Sequence, residues 1–505
     1  MKIRLLASSD IHGSVMPYQY SNNKPCNHGF AKLKATMDAY TTENTLRIDN
    51  GDILEGSPLL AYYHKHIDGE HPMTTCMNLS NYDYINLGNH DLNNGQEILL
   101  DYIKNNHAKM IVGNIKLNGE YLGAEYTIHE FDNDHRIALI AAVTHYLVNW
   151  EKATNMQGIE VEDAFEFVKR TVEKVKTTEN VQGIVVVYHG GFEKDMESGV
   201  PTEQLTGENQ AYRMCEEIDG IDILISGHQH RSFAAVSNGV HTTQTSANAA
   251  EIAVYDWDLD TKEISQKVVA CDKEADNEII KAIKPLEDKV QVWLDETMGE
   301  VQNVDLEVKD EFDARLHKHP VISFINTVQK EAAGAMLSGN ALFNGAVGFN
   351  KTITMRDIVS TYVYPNTVVA YTINGKILKE YLEKSAEYFD VMDGKIIVAD
   401  SYNYPKPQHY NYDMVDGIDY TIKVSNPIGT RIIDLKYHGK DIKEDDTFTL
   451  ALSNYRASGG GNFFMFKDCP IYKDVQTDMV TLIAEYLSKH PKLYVDHQEN
   501  IKVII

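Results

Sequence analysis

In the first half of the chain, short apolar runs alternate with longer stretches whose apolar residues recur at helical spacing. Ile3–Ala7, Thr45–Ile48, Tyr84–Leu87, Met110–Val112, Ile137–Val143, Ile184–Tyr188, Ile221–Ile225 and Ile252–Trp257 predict strands. Phe30–Tyr40, Gly95–Asn105, Val161–Lys176 and Asn209–Glu217 predict helices. Alternation of this kind, sustained to about residue 258, predicts an α/β layered domain.

The pattern changes from about Asp272 to Met298. Ile279, Ile283, Leu286, Val290 and Trp293 or Leu294 recur at helical spacing among many charges. This predicts a solvated connecting helix, with Pro285 as a point of kinking or restart. Beyond it, helices (Val321–Ala335, Lys376–Phe389) mix with strands (Val368–Ile373, Tyr420–Val424, Phe448–Leu452) and turn-rich loops at Asn340–Asn350 and Ser401–Asp413. A chain of 505 residues exceeds one ordinary core. The expected organisation is a first domain over 1–270, a connector over 271–305 and a mixed α+β second domain over 306–505.

Hydrophobic content of 43% is that of an ordinary globular protein. The net charge of −27 opposes binding to a nucleic-acid polymer or an anionic membrane. It leaves a small anionic substrate possible, because a metal ion or a local Arg can dominate one cleft. No stretch approaches the roughly 18 apolar residues of a membrane span. Met1 runs directly into a predicted strand, with no export signal in view, so the expected location is cytoplasmic. Cys26, Cys76, Cys215, Cys271 and Cys469 are scattered and form neither a disulfide framework nor a thiolate metal site.

Chemistry-bearing residues gather where predicted strands end. Ser9-Asp10-Ile11-His12, Asp49-Asn50-Gly51-Asp52, Gly88-Asn89-His90-Asp91, His189-Gly190-Gly191 and Gly227-His228-Gln229-His230 each follow an apolar run. Functional groups collect at the carboxyl ends of strands in open α/β sheets. Asp10, His12, Asp52, Asn89, His189, His228 and His230 supply oxygen and imidazole nitrogen without any thiolate. Seven such ligands exceed one tetrahedral zinc and suit two divalent ions, Mn, Zn, Co or Fe, sharing a bridge. Asp52 can offer one oxygen to each ion. Two ions roughly 3.5–4 Å apart are the arrangement used for phosphoester hydrolysis.

By these residues the chain resembles the calcineurin-like metallophosphoesterases. The resemblance implies a four-layer β-sandwich flanked by helices. It implies that Asp10, His12, Asp52 and His230 hold one ion, and that Asp52, Asn89, His189 and His228 hold the other. His90 would lie beside the ions and serve the phosphoryl transition state or the leaving oxygen. Asp91 is left with no role beyond bracing its turn.

In the second half, Tyr412 and Tyr455 stand beside glycine turns and read as two aromatic platforms able to hold a nucleobase. The stretches Tyr362-Val363-Tyr364-Pro365-Asn366-Thr367, Tyr412-Asp413-Met414-Val415-Asp416-Gly417 and Asn454-Tyr455-Arg456-Ala457, with Gly207-Glu208-Asn209, resemble the two-domain 5′-nucleotidase family. The nearer likeness within it is to bacterial 2′,3′-cyclic-nucleotide 2′-phosphodiesterase/3′-nucleotidases. That likeness implies a nucleotide substrate, with Tyr412, Tyr455, Asn366, Asn454, Arg456 and Gly460 as substrate-binding positions. Three departures stand out. Gly461 occupies the place of a ribose-binding Asp of 5′-nucleotidases, Asn344–Phe349 lacks their Arg, and Asn93 stands where an Asp orients the catalytic His. The expected function is hydrolysis of 2′,3′-cyclic and 3′-nucleotides by a dimetal centre. The alternatives are a 5′-nucleotidase or nucleotide-sugar hydrolase, and a non-catalytic nucleotide-binding protein.

Overall fold

The computed structural model describes every residue of the chain except Ile67, Asp68, Asn133, Pro365 and Pro405. Pro365 of the Tyr362–Thr367 motif therefore lies outside the described residues. The chain divides into two compact units, Met1–Val290 and Gln291–Ile505. The boundary falls inside the helix Asn277–Leu294, which runs through Pro285 without restarting. The predicted connector is too long at its far end, because Thr297–Val301 is a strand paired with Thr352–Thr354. Nor is the helix simply solvated: its stripe of Ile279, Ile283, Val290, Trp293 and Leu294 is buried.

Two six-stranded sheets form the centre of the first unit. Lys2–Ser8, Thr45–Asp49, Tyr84–Ile85 and Lys109–Met110 are parallel neighbours in one, extended antiparallel by Glu251–Asp258 and Ile264–Ala270. In the other, Arg136–Val143, Gly183–His189, Ile223–Ser226 and Val240–Gln244 are parallel, with antiparallel edges at Thr127–Glu130 and Phe233–Ser237. Leu5, Ile48, Val185, Val187, Ile225, Tyr255 and Trp257 belong to one apolar core that draws on both sheets. The alternate residues Ile184, Val186 and Tyr188 face a second core shared with the helix Ala164–Thr178. Burial on both faces explains why Ile184–Tyr188 reads as an unbroken apolar run.

Several predicted boundaries move for local reasons. The third strand stops at Ile85 because Asn86 turns its amide inward, donating to Asn50 Oδ1 at 3.0 Å, Ala142 O at 3.0 Å and Val187 O at 3.2 Å. The helix predicted from Val161 starts at Ala164, since Asp163 caps it by accepting from Glu166 N at 3.0 Å, and Val161 ends a short strand. The helix predicted to reach Phe389 ends at Ser385, and Phe389 opens a hairpin strand, Phe389–Met392. Phe233–Ser237 and Ile264–Ala270 are strands without a prediction; as half-exposed antiparallel edges they carry little apolar signal.

The second unit centres on a mixed five-stranded sheet in the order Asp413–Asp416, Leu337–Ala341, Thr447–Ser453, Val368–Asn374, Ile471–Val475. The helix Pro320–Ala333 packs on it and ties into it: Gln329 Nε2 donates to Ser338 Oγ, Gly339 O and Ala451 O. Among the described residues, no helix is long and apolar enough to cross a membrane.

Candidate active site

The five polar strand ends meet at one edge of the first unit, three from one sheet and two from the other. The turns that follow the strands interlock. Asp10 N donates to Gly51 O at 2.9 Å and His12 N to Asp52 O at 2.8 Å. Gly51 adopts φ 89°, and a Cβ there would lie 2.0 Å from Gly88 N, so the second and third turns touch backbone to backbone.

Asp10, His12, Asp52, His228 and His230 all have φ between 51° and 69°, in the left-handed region. Each costs about 1–2 kcal/mol in a residue other than glycine. Such strain persists where the surroundings over-determine it, and it concentrates at functional sites.

Asp91 is the chief brace. Its Oδ1 accepts from Ile53 N at 2.8 Å and Leu54 N at 2.9 Å, and its Oδ2 from Asp52 N at 2.9 Å and Gly88 N at 2.8 Å. The residue left without a role by sequence reasoning thus holds the Asp52 turn in place. A lone Asp after His gives no signal of this, because its partners on the Asp52 turn lie almost 40 residues away in sequence.

The side chains converge in two groups able to hold a metal ion: Asp10, His12 and His230; and Asp52, His189 and His228. Within each group the ligand atoms lie within 4.8 Å of one another. Asn89 Oδ1 joins the second, 2.7 Å from His228 Nδ1. His90 N donates to Asp52 Oδ1 at 2.7 Å, which leaves Oδ2 facing His189 Nε2 at 3.2 Å and His12 Nε2 at 4.0 Å. One carboxylate oxygen therefore stands between the groups.

The outer ring nitrogens select the tautomers. His189 Nδ1 donates to Asn50 O at 2.7 Å and His12 Nδ1 to Glu55 O at 3.1 Å, turning both Nε2 atoms inward. His228 is held the other way round, its Nε2 donating to Glu208 Oε1 at 2.9 Å while Trp150 stacks on the ring at 5.7 Å. Glu208 and Trp150 are supporting residues that sequence reasoning did not assign.

Among the described residues, His189 Nε2 is fully buried without a hydrogen-bond partner, 3.2 Å from one carboxylate and 3.9 Å from another. A cation at that point would satisfy it, so the residues present fit a divalent ion. Burial would push Asp10 and Asp52 up and His189 down, but the three offset it together: Asp52 and Asp10 raise His189 to about 10, and its positive charge holds both carboxylates well below their usual range, a charge that a divalent ion would replace. Burial pushes His12 down to about 4, keeping its Nε2 lone pair available.

His90 belongs to neither group. Its Nδ1 lies 2.8 Å from Asn93 Oδ1, and its ring meets His12 edge-on at 5.7 Å. Burial opposes its protonation, yet the charge of Asp52 and the bond to Asn93 raise its pKa.

The second unit revises the substrate-binding positions. Tyr412 is fully buried, stacked on Tyr388 at 4.8 Å with Phe389 edge-on at 4.9 Å, and offers no open face. Tyr410, two residues before it, and Tyr455 are partly exposed. Arg456 is not open to a substrate either. Its guanidinium is buried, forks onto Asp413 at 2.8 and 3.0 Å, and reaches Asn411 Oδ1, Gly460 O and Tyr410 O. Asn454 is committed to the backbone, accepting from Thr367 N at 3.1 Å. Gly460 gives room to Tyr455, since a Cβ there would lie 2.5 Å from the ring. Asn366 is partly exposed, and its backbone carbonyl accepts from Met479 N at 2.9 Å. Tyr412→Ala is accordingly expected to cost about 3–5 kcal/mol in stability, read from urea denaturation; a loss under about 1 kcal/mol would contradict the packing role.

Residues 3–232 match the calcineurin-like phosphoesterase family, and residues 298–468 match the C-terminal domain of 5′-nucleotidases. A Staphylococcus aureus protein assigned as a 5′-nucleotidase, solved with alpha-ketoglutarate, superposes with a TM-score of 0.93 at 32% identity over the whole of both chains. The chain is 25% identical to a 2′,3′-cyclic-nucleotide 2′-phosphodiesterase/3′-nucleotidase of Haemophilus influenzae, over 90% of this chain and 80% of that one. It is 27% identical to a trifunctional nucleotide phosphoesterase of Bacillus subtilis over 91% of its own length, and spans 36% of that longer protein.

Proposed function

The chain belongs to the calcineurin-like phosphoesterases that carry a 5′-nucleotidase C-terminal domain, and from that footing we propose a two-metal nucleotide phosphohydrolase acting on 2′,3′-cyclic and 3′-nucleotides. The observation that carries this reading is the Asp52 carboxylate standing between two ligand groups. Asp10, His12 and His230 hold one divalent ion, and Asn89, His189 and His228 the other, with Asp52 shared. Mn, Zn, Co and Fe all suit this oxygen and imidazole set. When bound, such a pair activates water and neutralises the charge that develops on an in-line phosphoryl transition state.

The chain's own residues supply the remainder. With Nδ1–H donating to Asn93, the protonated ring of His90, which Asp52 and Asn93 favour against burial, presents Nε2–H to a phosphoryl oxygen or to the departing ribose oxygen. Asp91 and the interlocked turns hold the ligands without rearrangement during the reaction. Tyr455, with Tyr410 in place of the buried Tyr412, provides aromatic surface for the base.

The choice of substrate is supported by the likeness to the Haemophilus influenzae enzyme and by Gly461 in place of a ribose-binding Asp. The test is phosphate release from 2′,3′-cyclic AMP, 3′-AMP, 5′-AMP and UDP-glucose with Mn²⁺, before and after stringent chelation. The first two are expected to turn over fastest, and chelation to abolish all activity. Tyr455→Ala is expected to raise KM for nucleotides about 5–160-fold, matching roughly 1–3 kcal/mol of stacking. The same variant should barely affect bis-p-nitrophenyl phosphate. Preference for 5′-AMP or UDP-glucose would replace the substrate assignment, and activity after chelation would remove the two-metal mechanism.

A further inference from the structure

We propose that Glu151 is a positioning residue for His90, acting through Asn93 to fix which imidazole nitrogen faces the reaction. The inference rests on the hydrolase reading above and adds a residue outside every motif of the strand ends.

An Asn beside a catalytic imidazole is two-faced. Its amide can present oxygen or nitrogen, and each selects the opposite tautomer of the ring. A carboxylate at that position would carry no such ambiguity. Here Glu151 removes it. Asn93 Nδ2 donates to Glu151 Oε2 at 2.8 Å, so Asn93 Oδ1 must face His90 Nδ1, which lies 2.8 Å away. A carboxylate can only accept, so the hydrogen bonds run in one direction along the chain: His90 donates to Asn93, and Asn93 donates to Glu151.

Glu151 is itself held. Its Oε1 accepts from Lys152 N at 2.7 Å and from Asn155 Nδ2 at 2.9 Å. Asn155 Nδ2 also reaches Leu92 O at 3.1 Å, which ties the Glu151 loop to the turn that bears Asn93. The neighbouring Trp150 stacks on the ligand His228. One loop, following the short helix His145–Asn149, thus steadies a metal ligand and the free imidazole together.

Glu151→Gln breaks the direction of the relay. With its oxygen kept by Lys152 N and Asn155, the introduced amide turns a donor toward Asn93 Nδ2. Asn93 must then flip and offer its own donor to His90, or the loop must surrender its contacts. Adding Asn93→Asp restores the pattern, because a carboxylate there accepts both from His90 and from the amide introduced by Glu151→Gln. Asn93→Asp alone instead sets two carboxylates against each other.

The experiment compares wild type, Glu151→Gln, Asn93→Asp and the double variant on bis-p-nitrophenyl phosphate, with metal content measured for each. Glu151→Gln is expected to lower kcat roughly 10–100-fold with KM and metal content unchanged. The double variant is expected to return to within about threefold of wild type and to exceed Asn93→Asp. A loop-holding role alone would not be rescued by a change at Asn93. Independently of turnover, ring nitrogen NMR shifts of His90 in zinc-loaded protein, assigned with His90→Asn, report the tautomer. Wild type and the double variant should keep a proton on Nδ1 whatever the state of Nε2, and Glu151→Gln should lose that proton and carry one on Nε2 alone. Wild-type kcat in Glu151→Gln, a double variant no faster than Asn93→Asp, or unchanged ring shifts would overturn the proposal. A wild-type protein with no turnover would instead remove the hydrolase reading and leave the ring shifts as the test of the relay.

Discussion

Replacing His90 with asparagine is expected to lower kcat by roughly 10²–10⁴-fold while leaving the metal content and the fold intact. His90 contributes to the ligand groups through its backbone, where its N–H donates to Asp52 Oδ1, and any residue with a backbone N–H keeps that bond. Its side chain is absorbed by Asn93 on one side and lies edge-on to His12 on the other, outside both sets of converging ligands. Truncation therefore removes a proton donor or charge stabiliser without opening either group. KM should move little, since the imidazole acts on charge that develops in the transition state. Elemental analysis beside steady-state kinetics separates the possibilities: a variant that loses metal with activity would make His90 a ligand.

Asp91→Ala is expected to destabilise the protein by more than about 4 kcal/mol and to weaken metal binding with it. The carboxylate accepts four backbone N–H bonds, all buried, from Asp52, Ile53, Leu54 and Gly88. Each buried donor left without a partner costs about 1–3 kcal/mol. Asp91→Asn keeps the shape but supplies a single acceptor oxygen, so about half of the loss is expected. Because three of the four donors lie on the Asp52 turn, Asp91→Ala also releases Asp52 from its left-handed conformation. Urea denaturation with and without added Mn²⁺ measures both effects. A loss below about 1 kcal/mol would show that the turns are held by other contacts.

The strand ends were legible because each chemistry-bearing turn follows an apolar run, and all seven predicted ligands do converge. The element limits were less so: Asn86 and Asp163 end or start elements through side-chain bonds to distant or flanking backbone, which periodicity does not register. In the second unit the tyrosines defeated sequence reasoning for a related reason. Tyr410 and Tyr412 stand two residues apart in the same polar, aromatic stretch, and only packing decides that Tyr412 goes into the core. Arg456 was misread likewise, since a buried ion pair with Asp413 and an open anion-binding Arg look identical in sequence. Glu208 lies in a stretch that was recognised, but its contact with His228 was not legible there, and nothing local distinguishes Glu151 from other acids, since it acts on Asn93 from 58 residues away.

Each ligand group draws from both sheets, and the first strand, Lys2–Ser8, is flanked by Thr45–Asp49 on one side and Glu251–Asp258 on the other. This has a consequence for biosynthesis. Lys2–Ser8 leaves the ribosome ahead of both its neighbours and remains half-paired until Glu251–Asp258 emerges about 250 residues later, and at about 5–20 residues per second that interval is on the order of tens of seconds. His228 and His230 appear only shortly before that neighbour. The nascent chain must therefore carry an unfinished sheet edge, with Asp10 and Asp52 exposed before His189, His228 and His230 join them, through most of the synthesis of the first unit. Premature metal capture and edge-to-edge pairing are the hazards of that window.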